Sequence, residues 1–417
     1  MTGAPSAALA PELSLEAQLE RIATIGYPTK RDEAWRYAPH TILHQLAFGP
    51  SGVVDAAVLS GIDDQIPTLA GPRIVVVNGV FDEARSDITV LADGLELLLP
   101  GHGAHGVVEH GAVLPDPGRA DAPDAFAALN DAYSGVGVGV HVAAGHHIVA
   151  PIHIVTISAP AGTQNATCSR VAIQLDAGSS ATVVETRLGV GSEFGGANTR
   201  TTISLGDNAS FDHIIVQDVP STQVHLSHTE ATQSTGSELT ARLFNLGAVY
   251  GRLAYDVHLT GDGARVDLSG LYFGRGDQTL DQQINVIHAA ENCTSRQAFR
   301  GVLDDESTGI FNGGIEVRPG ANGTEAEQSN DNLLLSNRAE ANTQPRLEIL
   351  ADDVACKHGA TVGQLNDEAM YYLRTRGIAA EAARRLLING FADQVVHDVG
   401  IEALRTWITQ RLGHDDD

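Results

Sequence analysis

Residues 202–216 read Thr-Ile-Ser-Leu-Gly-Asp-Asn-Ala-Ser-Phe-Asp-His-Ile-Ile-Val. Two short apolar-alternating runs, Thr202–Leu205 and Phe211–Val216, stand on either side of four turn residues, Gly206–Ala209. Runs of about five residues bounded by such turns are typical of β-strands. This unit therefore predicts two strands joined by a tight turn, and its repetition along the chain decides the fold.

The same unit recurs between about residue 135 and residue 290. Turns with glycine stand at Gly178, at Gly206–Ala209 and at Gly261–Ala264. The spacing is 28 residues from 178 to 206 and 56 residues from 206 to 262, as though one repeat lacks its glycine. Short strands at regular spacing indicate a stacked β architecture. The further runs assigned to strands are Val138–Val142, Ile152–Ile157, Val171–Leu175, Ala181–Thr186, Leu239–Phe244, Ala254–Leu259, Val266–Phe273 and Gln283–Ile287.

A β-sandwich is the alternative to a stacked fold, but it would show longer strands and cleaner hairpin turns. The hairpin dipeptides Asn-Gly and Asp-Gly are few in this chain. Aromatic residues make up only 5% of the sequence, so the core must be aliphatic. A solenoid buries a continuous aliphatic core of this kind. We therefore expect a mainly β chain with a β-solenoid, or β-helix, at its centre.

Helical patterns flank the β region on both sides. Residues 15–25 form an amphipathic pattern that Ser14 can cap and Gly26 can end. Asp124–Tyr133 is typical of a short helix, and residues 366–412 show three helical segments with apolar stripes. The expected organisation is an N-terminal mixed helical and β region over 1–134, a β-helix core over 135–363 and a C-terminal helical domain over 364–417.

The N-terminal region also carries aromatic residues among charges. Trp35 and Tyr37 are interpreted as buried anchors, and the charged residues around them as a local set of ion pairs. A binding role for this cluster is the less favoured interpretation. Residues 1–12, rich in Ala and Pro, and the tail His-Asp-Asp-Asp are expected to be mobile.

Composition excludes several classes of function. The 417-residue chain has a formal net charge of −26, which would repel a phosphate backbone and an acidic membrane surface. No apolar run approaches the ~18 residues needed to span a bilayer. The first residues show neither a basic nor an apolar segment of a signal peptide. We therefore expect a cytoplasmic protein that binds neither nucleic acid nor membrane.

Common catalytic and metal motifs are absent from the sequence. There is no P-loop, no Gly-x-Ser-x-Gly, no His-Glu-x-x-His and no Cys-x-x-Cys. The three cysteines are widely spaced, which predicts no disulfide framework and fits a reducing cytosol. His102, His105 and His110 lie in a glycine-rich loop without a partner cysteine. His225 and His228, with His213 one strand earlier, are interpreted as polar strand residues rather than as a metal site.

One short segment concentrates scarce reactive residues: Cys356, Lys357 and His358. Cys356 is one of three cysteines, and Lys357 is one of only two lysines. In a strand, Cys356 and His358 would point to the same face, about 6.5–7 Å apart, and a thiolate and an imidazole suit a soft metal centre. The neighbouring ammonium is expected to lower the pKa of the thiol. A metal site and a simple strand end are equally compatible with this spacing.

The surrounding segments resemble the SufB/SufD family of iron–sulfur cluster assembly scaffolds. The most specific words lie between 300 and 392: Phe311-Asn-Gly-Gly-Ile-Glu-Val-Arg-Pro-Gly, Asn332-Leu-Leu-Leu-Ser-Asn-Arg-Ala-Glu-Ala-Asn-Thr-Gln-Pro-Arg, Cys-Lys-His-Gly-Ala-Thr-Val-Gly-Gln-Leu and Met370-Tyr-Tyr-Leu-Arg-Thr-Arg-Gly-Ile. Upstream, Arg31-Asp-Glu-Ala-Trp-Arg-Tyr and Phe126-Ala-Ala-Leu-Asn-Asp-Ala-Tyr also look like words of this family. The resemblance covers nearly the whole chain. The word His358-Gly-Ala-Thr and the lack of an N-terminal cysteine cluster point to the SufD side of the family.

The resemblance implies a fold, partners and a site. The fold would be a right-handed parallel β-helix between helical ends. The partners would be a SufB-like subunit in a heterodimer and a SufC-like ATPase docked on residues 366–412. A transient iron–sulfur cluster would form at the interface with SufB, and His358 and Cys356 would be the metal ligands. Lys357 departs from the family word, in which a small polar residue is usual.

Three questions stay open at the level of the sequence. A flavin could bind the complex, the cluster type is not specified, and the isolated chain could pair with itself because a solenoid has open edges. Two rival functions remain. One is a β-helix enzyme acting on polysaccharide, which low aromatic content disfavours. The other is an inert structural partner whose Cys356 and His358 bind nothing. The interpretation that we prefer is a scaffold subunit rather than an enzyme.

Overall fold

The computed structural model describes residues 15–49, 54–100, 107–108, 124–134, 137–160 and 165–413. The expectations for Ser14, for residues 1–12, for the loop histidines His102, His105 and His110 and for the tail 414–417 lie outside the described residues.

Two long sheets dominate the described part of the chain, each with ten strands. The strands are β1 Arg73–Val77, β2 Val80–Phe81, β3 Leu95–Leu98, β4 Val107–Val108, β5 Val138–Val142, β6 Ile152–Ser158, β7 Ala166–Leu175, β8 Ser180–Gly189, β9 Gly195–Leu205, β10 Ser210–Asp218, β11 Gln223–Gln233, β12 Glu238–Asn245, β13 Tyr250–Leu259, β14 Arg265–Gly274, β15 Thr279–His288, β16 Thr294–Leu303, β17 Thr308–Val317, β18 Thr324–Leu334, β19 Glu340–Ile349 and β20 Val354–Gln364. Odd-numbered strands from β5 onward form sheet A, and even-numbered strands from β6 onward form sheet B.

Within each sheet, these strands run parallel to one another, so the chain winds as a solenoid. Its described part makes about eight turns. In sheet B, Ser210, Glu238, Arg265, Thr294 and Glu325 are successive register partners, at steps of 27–31 residues. Earlier strands close the first turn: β1 pairs in parallel with β6, and β3 pairs antiparallel with β5. The expected mainly β solenoid between helical segments is confirmed.

A ladder of turns stacks at one corner of the solenoid. One residue of each turn has a positive φ, namely Gly178, Asn208, Gly236, Gly263, Asn292 and Gly323. The backbone N–H of Gly178 donates to Asp207, that of Asn208 to Thr235 and that of Gly236 to Asp262. The expectation that one repeat lacks its glycine is wrong. The turn Ser234–Ser237 carries Gly236 and fills the 56-residue gap, and its serines and threonine concealed the repeat.

The core between the two sheets is aliphatic over most of its length, as the composition requires. Val140, Ile154, Val183, Leu243 and Val286 are fully buried there, with other members of one continuous cluster. Inward-facing Val, Ile and Leu alternate with outward residues, which is the pattern of a pleated strand. The strands that sequence periodicity did not assign, β11 and β16–β18, carry many buried polar residues, so their apolar alternation is weak.

The outer face of sheet A is covered by the N-terminal segment. This segment contains α1 Leu15–Ile25, α2 His40–Leu43, α3 Ala125–Tyr133 and a short 3₁₀ turn, Glu33–Trp35. Trp35 is 5% exposed and packs with Phe126, whereas Tyr37 is 39% exposed. The expected burial of Trp35 is confirmed, and that of Tyr37 is wrong because Tyr37 lies beyond the 3₁₀ turn on the surface.

The outer face of sheet B is covered by the C-terminal helices α4 Asp367–Thr375, α5 Ala380–Val396 and α6 Glu402–Arg411. Asn366 caps α4 by accepting a hydrogen bond from the backbone N–H of Ala369. Buried residues of α5 and α6 pack on Val216, Phe244 and other residues of sheet B. No helix in the described part of the chain is long and apolar enough to cross a membrane.

Candidate functional site

Cys356 and His358 lie on β20, which is the last strand of sheet B. They are two residues apart, so the pleat directs both to the same face. Their register partners on β18 are the buried residues Ala326 and Gln328. The two candidate ligands therefore occupy the final layer of the solenoid, above its buried interior.

Cys356 is half-buried at the end of the core. It packs against a small apolar cluster that includes Ile315, Val317 and Ala326. Burial raises the pKa of the Cys356 thiol, and a backbone hydrogen bond from Ala326 offsets this only in part. The expectation of a lowered thiol pKa beside Lys357 is wrong, because in a strand the adjacent residue points to the opposite face. In the free chain Cys356 is a thiol at neutral pH.

Lys357 lies on the outer face of β20 and contacts Glu327. Its Nζ is 3.0 Å from Glu327 Oε1, and both side chains are largely exposed. Thr361, on the same outer face, donates to Asp331 Oδ1 at 2.6 Å. Lys357 therefore faces away from the two candidate ligands and joins a surface ladder between β18 and β20.

His358 is exposed and stands over a polar part of the interior. The buried Gln328 beneath it donates to Gln297 Oε1 at 2.7 Å, and Gln328 Oε1 has no partner among the described residues. Further along the same row, Asn330 donates to Tyr272 Oη at 3.0 Å and Asn332 donates to Asn330 Oδ1 at 2.8 Å. Sequence reasoning missed this amide-rich row, although Gln328, Asn330 and Asn332 alternate in the sequence at the period of a strand.

The solenoid is open at this end. β19 and β20 each have one hydrogen-bonded neighbour among the described strands, so one edge of each is unpaired. Three large apolar residues are exposed there, Ile349 (41%), Leu350 (53%) and Val362 (49%). An exposed strand edge with apolar side chains is a template for pairing with another chain.

The other histidines that the sequence singled out do not share a site. His213 lies inside the solenoid between Glu185 and Tyr255. His225 faces the interior near Thr199, whereas His228 faces outward and contacts Asp256. A separation of three residues in a strand places His225 and His228 on opposite faces.

Comparison with known proteins identifies the family. The model of the "SUF system FeS cluster assembly, SufBD core domain" family matches residues 156–391, which is more than half of the chain. The chain belongs to the SufBD family. This membership supports a role in iron–sulfur cluster assembly.

Named relatives agree with this assignment. The iron–sulfur cluster assembly protein SufD of Escherichia coli is 28% identical over 95% of this chain and 91% of its own length. A SufBD family protein of Synechocystis sp. is 26% identical over 93% of this chain and 87% of its own length. SufD of Bacillus subtilis is 33% identical over 50% of this chain and 48% of its own length. Together they support a SufD-like protein.

Proposed function

We propose that this chain is the SufD-like subunit of a SufBCD complex, a non-catalytic scaffold for de novo cluster assembly in the cytoplasm. The observation that carries the proposal is the position of His358 and Cys356 on the last strand of an open solenoid. Each offers one donor, an imidazole nitrogen and a sulfur, whereas an iron site needs about four donors in all. The remaining donors would come from the partner that pairs with this end.

The partner that fits the open end is a SufB-like subunit. The unpaired edges of β19 and β20 offer backbone donors and acceptors, and Ile349, Leu350 and Val362 offer apolar area. The unsatisfied Oε1 of Gln328 lies in the layer directly below His358. A strand from a partner would bury these groups and exclude water from a nascent cluster. The cluster is cargo, because it forms at the interface and leaves.

The C-terminal helices are the proposed docking surface for a SufC-like ATPase. α5 and α6 pack on sheet B through their apolar stripes, and Arg384 on α5 contacts Asp304 Oδ2 at 3.1 Å. On the other side, Tyr371 (72%), Tyr372 (57%) and Leu386 (51%) are exposed. Movement of an ATPase bound there would reach the solenoid through these contacts and change the geometry of its open end.

The test is cluster assembly on the purified complex. The chain is combined with a SufB-like and a SufC-like partner and reconstituted without oxygen, and iron and sulfide are counted. His358→Ala is expected to lower both counts at least severalfold while the complex still co-purifies. His147→Ala is the matched control, because His147 is exposed but lies near the other end of the solenoid, where it contacts Ser180. Undiminished assembly on His358→Ala would remove the ligand role, and failure to co-purify with either partner would remove the complex.

Cys356 is tested separately from His358. Cys356→Ser keeps the size of the side chain but replaces a soft sulfur with a hard oxygen. If Cys356 is a ligand, Cys356→Ser lowers cluster content as His358→Ala does. Normal cluster content in Cys356→Ser, with a loss in His358→Ala, would assign the ligand role to His358 alone.

A further inference from the structure

A second group of metal-ligating side chains lies on the outer face of sheet A, away from β20. His228 and Glu230 are two residues apart on β11 and share that face. Asp256, on the neighbouring strand β13, is the register partner of Glu230. One ligand atom from each of the three side chains lies within 4.8 Å of the others. The three donors come from residues 26–28 positions apart in the sequence, so the winding of the solenoid creates the group.

The contacts of the three side chains hold them in place. His228 Nε2 lies 2.7 Å from Asp256 Oδ2, and Asn285 donates to Asp256 Oδ1 at 2.7 Å. Arg200 donates to Glu230 Oε2 at 2.5 Å and contacts Asp131 at 3.1 Å. Each donor is therefore oriented by a neighbouring group, which is how proteins position metal ligands.

The charges of this group favour a cation. Arg170 and Arg200 contact Asp131, and Arg200 also contacts Glu230, so two cations offset two carboxylates. Asp256 adds a third carboxylate. Although burial alone would raise the pKa of Asp256, the imidazole of His228 and the amide of Asn285 hold it below its usual value. The third negative charge is balanced either by a proton on His228 or by a bound cation.

There is room for an ion beside these donors. A cavity of about 250 Å³, lined by His228, Ala254, Asp256 and other residues, lies between the N-terminal segment and sheet A. A second cavity of about 210 Å³ is lined by Glu230, Asp256 and others. Asp256 and Asn285 line both cavities. The short side chain of Ala254, the register partner of His228, keeps the space beside the imidazole open.

We propose that His228, Glu230 and Asp256 bind one divalent first-row transition-metal ion. One imidazole and two carboxylates suit Fe(II), Mn(II) or Zn(II), and the remaining positions would be taken by water. The ion would take the place of the proton between His228 and Asp256. β11 is four strands in from β19, a distance of about 19 Å at the usual spacing of strands. The site is thus separate from the open end, and only the choice of Fe(II) as its ion rests on the proposed function.

The test measures metal binding with the open-end ligands removed. The full chain carrying Cys356→Ser and His358→Ala is dialysed without oxygen against Fe(II), and in parallel against Co(II), whose visible spectrum reports nitrogen and oxygen ligands. We expect one equivalent to bind. Adding Asp256→Asn should weaken binding by about tenfold or more. Asp267→Asn is the matched control, because it also removes one negative charge but lies on sheet B, where Asp267 contacts Arg242.

The outcomes separate this site from the proposed cluster site. If the chain without Cys356 and His358 binds no metal, or if Asp256→Asn binds as tightly as Asp267→Asn, the inference is wrong. Circular dichroism checks that Asp256→Asn is folded, and His228→Gln replaces it in the same comparison if it is not. Because β20 is inactivated throughout, a negative result leaves the role of His358 in cluster assembly untouched. Conversely, failed cluster assembly on the intact chain would leave this metal site standing.

Discussion

At the scale of single residues, the most unusual feature is a charged group inside the solenoid. Glu185 and Arg187 are each 1% exposed, and Arg187 Nη2 donates to Glu185 Oε2 at 2.9 Å. His213 and Thr201 also contact the Glu185 carboxylate. Burial alone would raise the pKa of Glu185, but the charge of Arg187 and the hydrogen bond from His213 outweigh it and lower the pKa to about 2. Glu185 therefore stays ionised in the interior.

Glu185→Gln is expected to destabilise the fold by about 3–5 kcal/mol, because it leaves the buried Arg187 without its counter-charge. The folded pKa of about 2 lies below the unfolded value of about 4.3. The stabilisation by Glu185 is therefore present above about pH 4.3 and is lost as the pH falls toward 2. Urea unfolding at several pH values measures the difference between the wild type and the variant, which should shrink across this range.

A surface ion pair provides the control for this prediction. Glu238 contacts Arg265 at 2.9 Å, but both side chains are more than half exposed. Glu238→Gln should therefore change the unfolding free energy by no more than about 1 kcal/mol. Equal effects of Glu185→Gln and Glu238→Gln would show that the interior pair contributes nothing beyond a surface contact.

At the scale of elements, the stacked turns determine how closely the layers of the solenoid approach. In the turn 261–264, a Cβ added at Gly261 would lie 2.0 Å from the backbone nitrogen of Thr235, in the turn one layer below. A Cβ added at Gly263 would meet nothing within 4 Å, although Gly263 has a φ of +71°. Two glycines in one turn thus serve different purposes, close packing of layers and a left-handed backbone.

These two positions predict different costs for the same substitution. Gly263→Ala should cost about 1–2 kcal/mol, the price of a left-handed conformation for an L-residue. Gly261→Ala should cost more, roughly 2–3 kcal/mol or above, because backbone of two layers must move apart. Urea midpoints of the two variants decide the matter. A larger loss in Gly263→Ala than in Gly261→Ala would contradict the close-packing argument.

At the scale of the whole molecule, the two ends of the solenoid differ. The first turn is closed by β1–β3, whereas β19 and β20 leave open edges. We expect the isolated chain, without its partner subunit, to pair with itself through this open end. Such pairing buries the apolar side chains that a SufB-like subunit would otherwise cover.

Val362→Lys should reduce this self-association, because a lysine on an edge strand disfavours pairing. Val362 is 49% exposed on β20. Val149→Lys is the matched control, since Val149 is 94% exposed but lies before β6, at the other end of the solenoid. Light scattering after size-exclusion chromatography gives the masses. Dimers in both variants would place the contact elsewhere, and a monomeric wild type would exclude self-pairing.

The local sequence determined the strands, the turns and the segment that carries Cys356 and His358. Period-two apolar alternation reports a strand because inward residues must be buried, and it failed where interior residues are polar, as at Gln328 and Asn330. The repeat was hidden at Gly236, where the turn lacks the other residues of the pattern. Membership of the SufBD family was likewise readable from words such as Cys356–Thr361.

Only the tertiary structure decided which distant residues meet. Asp256 reaches His228 and Glu230 because one turn of the solenoid returns the chain to the neighbouring strand, a distance that no local pattern encodes. The pleat turned Lys357 away from Cys356, and burial then raised the thiol pKa that the sequence had led us to expect lowered. The sequence by itself thus determined the strands and the metal-capable side chains, whereas their neighbours, burial and charge balance depended on the stacking of layers.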